Sequence, residues 1–246
     1  MYYKEFGSVE NDTILLLHGG GLSWWNYREE VQLLLHEYHV ILPVLDGHAE
    51  SDHPFTTIEE NAAEIISFID EKLGGSVLLI GGLSLGGQIL LEMLSQRKNI
   101  CQYALVESAA ILPSKITTAL IGPAFESSYH LIQNKKFAKL QFHSLHIKED
   151  LFEDYYRDTC HITKTDMIAF MKASTSYTLK ESFSKNDSQV FVLAGKKENR
   201  TVLYSAELIC RSHKKSKKIL MDNYYHGDFS INHANEYVEF IKRILT

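Results

Sequence analysis

The sequence predicts an α/β protein with a mostly parallel central sheet and helices on both faces. Short apolar runs rich in branched residues alternate with longer stretches of helical period, which is the pattern of βαβ units. The chain has 246 residues, 45% of them apolar and 23% charged, an ordinary globular balance that allows a sizeable core.

Taken in order, residues 2–6 read as an antiparallel edge strand, and 13–17 and 40–45 as further strands. Ile58, Ala62, Ile65, Ile66, Ile69 and Leu73 then share one helical face, with Thr57 and Glu60 spaced as a capping box. Gly74 and Gly75 end that helix. Strand 76–80 leads into a helix that contains 88–96, and strand 103–106 follows. From 111 to 184 no strand-like run separates several helix-like pieces, so this span is expected to form a helical cap over the carboxyl edge of the sheet, where doubly wound folds bind ligands. Strands 189–193 and 218–221 resume, and 232–245 is the last helix, with Tyr237, Phe240, Ile241 and Ile244 on one stripe. The expected division is a core of residues 1–110 and 186–246 with a cap at 111–185.

Several partner classes are disfavoured. With 25 basic and 31 acidic residues the formal net charge is −6, which gives no general attraction to nucleic acid or anionic membrane. The run KKSKK at 214–218 reads as a solvated loop after a helix. Cys101, Cys160 and Cys210 are odd in number and widely spaced, which suits reduced thiols in a cytoplasm better than a disulfide framework or a structural zinc site. The first twelve residues lack the apolar core of an export signal, and no apolar run approaches the ~18 residues of a membrane span.

The chemistry lies in Gly82-Leu83-Ser84-Leu85-Gly86, set between a strand and a helix. That context is the geometry of a nucleophile elbow, whose turn is so tight that the flanking positions have no room for a Cβ. Ser84 is then held at the apex, with the free N–H groups of a helix start behind it. A serine hydroxyl needs an adjacent base, and the base an orienting group. Among twelve histidines His226 stands out, because Tyr224-Tyr225-His226-Gly227 lies between the last strand and the last helix, at the same sheet edge as Ser84.

These residues resemble the α/β hydrolases, over nearly the whole chain apart from the cap. His18-Gly19-Gly20-Gly21 is similar to the family's HG motif, and the resemblance implies oxyanion donors at the Gly20 and Leu85 N–H groups. The segment at 43–52 resembles P-D-L-R-G-H-G-x-S-D, departing at Val44, Asp46 and Ala49. In this family the strand before the last commonly ends in glycine with an acid three residues on. Here that stretch is Gly195-Lys196-Lys197-Glu198, so Glu198 is the expected acid. Glutamate is one methylene longer than the usual aspartate, and Glu107, after strand 103–106, is the competing candidate.

The resemblance implies a serine hydrolase that cleaves a carboxylic ester or thioester of a small, partly apolar molecule through an acyl-enzyme on Ser84, with no metal or organic cofactor. A lyase or acyltransferase using the same residues is the alternative, and a non-catalytic ligand-binding protein a more distant one. Trp24, Trp25 and the cap aromatics Phe125, Tyr129, Phe137, Phe142, Phe152, Tyr155, Tyr156 and Phe170 would either line an apolar pocket or form the cap's own core.

Overall fold

A computed structural model describes residues 1–51 and 53–246; Asp52, the last residue of the segment read at 43–52, lies outside the described residues. Strands β1 (Tyr2–Phe6) and β2 (Thr13–Leu17) precede helix α1 (Arg28–Leu34), and β3 (His39–Val44) precedes α2 (Ile58–Lys72). Strand β4 (Val77–Leu83) feeds α3 (Leu85–Gln96), and β5 (Cys101–Glu107) follows. Four helices come next: α4 (Lys115–Ser128), α5 (Lys135–Ser144), α6 (Phe152–His161) and α7 (Lys164–Ser176). The chain closes with β6 (Gln189–Gly195), α8 (Arg200–Ser212), β7 (Ser216–Met221), α9 (Asp228–Asn232) and α10 (Ala234–Leu245).

The seven strands form one sheet in the order β1-β3-β2-β4-β5-β6-β7. Only β1 runs antiparallel, pairing Tyr2 with Val44 and Phe6 with Val40, so the edge strand read from sequence is where the sheet has it. All other pairs are parallel, so every carboxyl end from β2 to β7 opens on the same edge. In β2 the side chains alternate between faces: Leu15 and Leu17 join the core beneath α2 and α3, while Ile14 and Leu16 join Val31, Tyr237 and Ile241 on the other side. Burial on both faces is why these strands read as unbroken apolar runs.

Three boundaries differ from the sequence reading. Thr57 caps α2 through its side chain, which accepts the Glu60 N–H at 3.0 Å, but no return bond from the Glu60 carboxylate forms among the described residues, so the capping box is half made. The closing helix is broken at His233 (φ −127°, ψ 49°), which divides the short α9 from α10. The run KKSKK is no free loop, because Ser216, Lys217 and Lys218 lie in β7, an edge strand whose lysines discourage further strand pairing.

Between β5 and β6 the chain is helical throughout its regular structure, as expected, and it lies against the carboxyl-edge loops. The Trp25 indole N–H donates to Asp158 at 2.7 Å, and Arg28 pairs with Asp154 at 2.7 Å. Phe142 packs against Phe152 and Tyr155 beside Leu22 and Leu83, whereas Met167 and Phe170 belong to the same core as α2 and α3. All the cap aromatics named from the sequence except Phe137 therefore belong to these cores or pack against them. No helix among the described residues is long and apolar enough to cross a membrane, and all three cysteines are free thiols.

Replacing Thr57 by Ala removes a single cap and is expected to lower stability by about 1 kcal/mol without moving the urea m-value, as measured by equilibrium unfolding.

Candidate active site

The turn between β4 and α3 holds Ser84 at φ 53°, ψ −110°, a conformation that costs a non-glycine residue of order 1–3 kcal/mol. The neighbours enforce it. A Cβ on Gly82 would lie 2.4 Å from the Gly86 carbonyl oxygen, and one on Gly86 would lie 2.4 Å from that of Leu17, so strand, turn and helix can approach only with glycine at both places. The Ser84 N–H is anchored on the Glu107 carbonyl at 2.8 Å.

His226 reaches this turn from the loop between β7 and α9. The Ser84 hydroxyl donates to Nε2 across 3.0 Å, and Nδ1–H donates to the Glu198 carboxylate across 2.8 Å. Serine, histidine and Glu198 thus form one hydrogen-bonded line, an arrangement that can pass a proton off the hydroxyl and stabilise the resulting imidazolium. Glu198 has no exposed side-chain surface, while the imidazole is 48% exposed. A buried carboxylate must have its oxygens satisfied, and here the second oxygen accepts the Ser108 hydroxyl at 2.7 Å and the Gly195 N–H at 3.1 Å. Gly195 is also where β6 meets the histidine loop, since a Cβ there would sit 2.1 Å from the Tyr224 carbonyl oxygen.

Glu107 is not on this line. Its carboxyl accepts the Ser230 N–H at 3.2 Å, its other oxygen is buried without a partner, and burial pushes its pKa up to about 7. Asp222 pairs with Lys196, and Asp228 accepts the Tyr225 N–H.

The loop after β2 lies across from Ser84. Gly20 and Leu85 are neighbours, a Cβ on Gly20 falling 3.5 Å from the Leu85 side chain, and neither N–H has an acceptor among the described residues. The loop is braced by two buried imidazoles. His18 donates from Nδ1 to the Gly19 carbonyl and accepts the Leu45 N–H; His48 donates from Nδ1 to the Asp46 carbonyl and accepts the Gly21 N–H at 3.0 Å. Desolvation lowers their pKa values to about 3 and about 4, so both stay neutral acceptors. His48 also stacks on Phe170 of α7 at 4.6 Å.

A cavity of about 460 Å³ opens beside Ser84 and His226, walled by Leu22, Leu145, Ile147, Met171 and Ile231. Trp24 and Trp25 are elsewhere, their indoles bound to Glu50 and Asp158, and the cap aromatics named from the sequence are absent from its walls, so the apolar lining is mostly aliphatic, with the Tyr225 and His146 rings on one side. A larger hollow of about 610 Å³ lies at the opposite, amino-terminal edge of the strands beside Thr13, His39 and Val77.

The sequence reading missed Ser108, His48 and Tyr225. Ser108 accepts the Gly227 N–H at 3.1 Å while donating to Glu198, so a single hydroxyl ties the acid to the histidine loop, and its φ of 56° marks the strain of that position. A serine after a strand carries no signal of its own. His48 stood inside the motif at 43–52, where its role as a brace could have been asked.

The sequence matches the family described as alpha/beta hydrolase fold over residues 12–232. A stretch of 145 residues is 30% identical to Lipase 1 of Psychrobacter immobilis, covering 57% of this chain and 45% of that protein. The chain spans about half the length of such curated relatives. Among solved structures, an esterase from Exiguobacterium antarcticum superposes with a TM-score of 0.83 at 18% identity, over 99% of this chain and 94% of that one. The enol-lactonase from Burkholderia xenovorans gives 0.84 at 14% identity, over 99% and 95%. The chain belongs to the alpha/beta hydrolase fold family.

The raised pKa of Glu107 sets a stability test. Between pH 4.5 and about 7 the unfolded chain ionises this carboxyl while the folded protein keeps it protonated, so this group's contribution falls as pH rises through that window. Urea unfolding at pH 5 and pH 8 should show Glu107→Gln losing less stability than the parent over the interval, by up to about 3 kcal/mol, and equal losses would contradict the assignment.

Proposed function

We propose that the protein is a serine hydrolase of carboxylic esters or thioesters. The observation that carries this reading is the unbroken line from the Ser84 hydroxyl through His226 to Glu198. His226 takes the proton as Ser84 attacks the acyl carbonyl, and the Gly20 and Leu85 N–H groups receive the oxyanion. His226 then gives that proton to the departing oxygen or sulfur, leaving an acyl-enzyme. Water, deprotonated by the same imidazole, releases the acid and restores Ser84. Glu198 fixes the imidazole with Nδ1 protonated and offsets its positive charge, and Ser108 positions Glu198. Residues 111–185 act as the cap over this site. The aliphatic cavity of about 460 Å³ suits a small, partly apolar acyl or alcohol portion. Relatives named as lipases and an esterase of the same fold support the chemistry. Three free thiols suit a reducing cytoplasm.

A fluorophosphonate probe should label the parent and leave Ser84→Ala unlabelled, with p-nitrophenyl ester turnover reduced by about three orders of magnitude or more. Turnover should fall far more in Glu198→Ala than in Glu107→Ala; the reverse order would move the acid to Glu107. A parent that labels but shows no acyl-enzyme burst would point to lyase chemistry instead.

Ser108→Ala leaves one Glu198 oxygen with a single donor and the Gly227 N–H unpaired. The expected result is a loss of about tenfold in kcat with little change in KM. A change confined to stability would reduce Ser108 to a structural role.

A further inference from the structure

We propose that the substrate's leaving group carries a carboxylate or phosphate, and that Lys197 at the mouth of the cavity recognises it. This rests on the reading of Ser84 and His226 given above, because the departing atom must face the proton held on Nε2. Whatever extends from that atom passes along the wall beside the imidazole.

That wall is built from the two turns that deliver the site. Lys197 directly precedes Glu198, Tyr225 directly precedes His226, and the turns are joined by the Lys197 N–H donating to the Tyr224 carbonyl at 3.1 Å. The Lys197 ammonium lies 4.6 Å from the centre of the Tyr225 ring, and the His146 imidazole is stacked on the same ring at 3.9 Å. His146 has a φ of 57°, and its carbonyl accepts the Asn232 side-chain amide at 2.7 Å. A non-glycine residue held in that region beside a binding cavity marks a constraint that the surroundings maintain. The result is a fixed aromatic platform with a cation against it.

The charges at the mouth favour an anion. Lys196 is paired with Asp222 at 2.6 Å, but Lys197 has no carboxylate partner among the described residues. Glu198, the sole acid lining the cavity among those residues, is wholly buried and committed to His226, Ser108 and Gly195. Asp228, on the histidine loop, is held by the Tyr225 N–H and Asn232 and does not line the cavity. In a chain of net charge −6 the mouth therefore presents one unpaired ammonium next to aliphatic walls. An anionic group gains from it, whereas a neutral one only displaces its water.

The test compares 4-acetoxybenzoate, 4-acetoxyphenyl phosphate and methyl 4-acetoxybenzoate as substrates of the parent, Lys197→Met and Lys197→Arg. The kcat/KM ratio of anionic to neutral ester should fall about fivefold in Lys197→Met, as befits one exposed charge pair, and be retained in Lys197→Arg. It should also shrink in about 0.5 M sodium chloride. The two anionic esters separate carboxylate from phosphate. Equal ratios in parent and Lys197→Met overturn the proposal. Calorimetric binding of 4-hydroxybenzoate and its methyl ester to Ser84→Ala, with and without Lys197→Met, reads the same preference without turnover. If no ester is cleaved yet that preference depends on Lys197, the hydrolase reading falls and the anion subsite stands; equal binding overturns the subsite itself.

Discussion

The close approach of strand β4, helix α3 and the end of β2 is the constraint on which the rest of this molecule turns. It exists because Gly82 and Gly86 put hydrogen where any other residue would place carbon against a carbonyl oxygen. The same crowding forces Ser84 into a left-handed backbone and so lifts its side chain out of the sheet. A local strain of a few kcal/mol is sustained by a large apolar core on both faces, and by the Ser84 N–H bond to the Glu107 carbonyl. The fold supplies rigidity, and the elbow converts it into the position of a single oxygen.

The buried polar groups around the elbow are arranged by environment. Glu198 and Glu107 lie at the ends of adjacent parallel strands or in the turn just beyond, yet one has three hydrogen-bond partners and the other an orphaned oxygen in an apolar setting. The first is suited to carry charge, and the second is pushed toward the neutral acid. On the opposite loop, His18 and His48 use their neutral form to accept backbone N–H groups that would otherwise be unpaired. His18, His48 and His226 thus divide into two buried braces and one half-exposed base candidate.

Much of this was legible in the residues. Strands buried on both faces announce themselves as apolar runs, and the glycines of the elbow are dictated by contact distances that any such turn must meet. Position in the chain singled out His226, and the offset of three from Gly195 singled out Glu198. What stayed hidden depends on tertiary contact. Ser108 is unremarkable until the loop carrying Gly227 comes to rest on it. Lys217 and Lys218 read as part of a loop because nothing local reveals that their backbone pairs with β6. The last helix reads as 232–245 from its stripe at Tyr237, Phe240, Ile241 and Ile244, and nothing in that stripe marks the turn of the backbone at His233 that makes it start at Ala234. The aromatics of 111–185 could not be sorted between pocket and packing, since both need apolar surface and only proximity to the elbow distinguishes them.

Phe170 and Met167 of α7 belong to the principal core of the sheet, and Phe170 also rests on the imidazole that supports the Gly20 loop. Peeling that helix outward would wet two large side chains, at roughly 2 kcal/mol apiece, and would withdraw the brace at the same stroke. The helix is thus anchored behind the cavity beside Ser84, whose other side is lined by residues 144–147 and Tyr225.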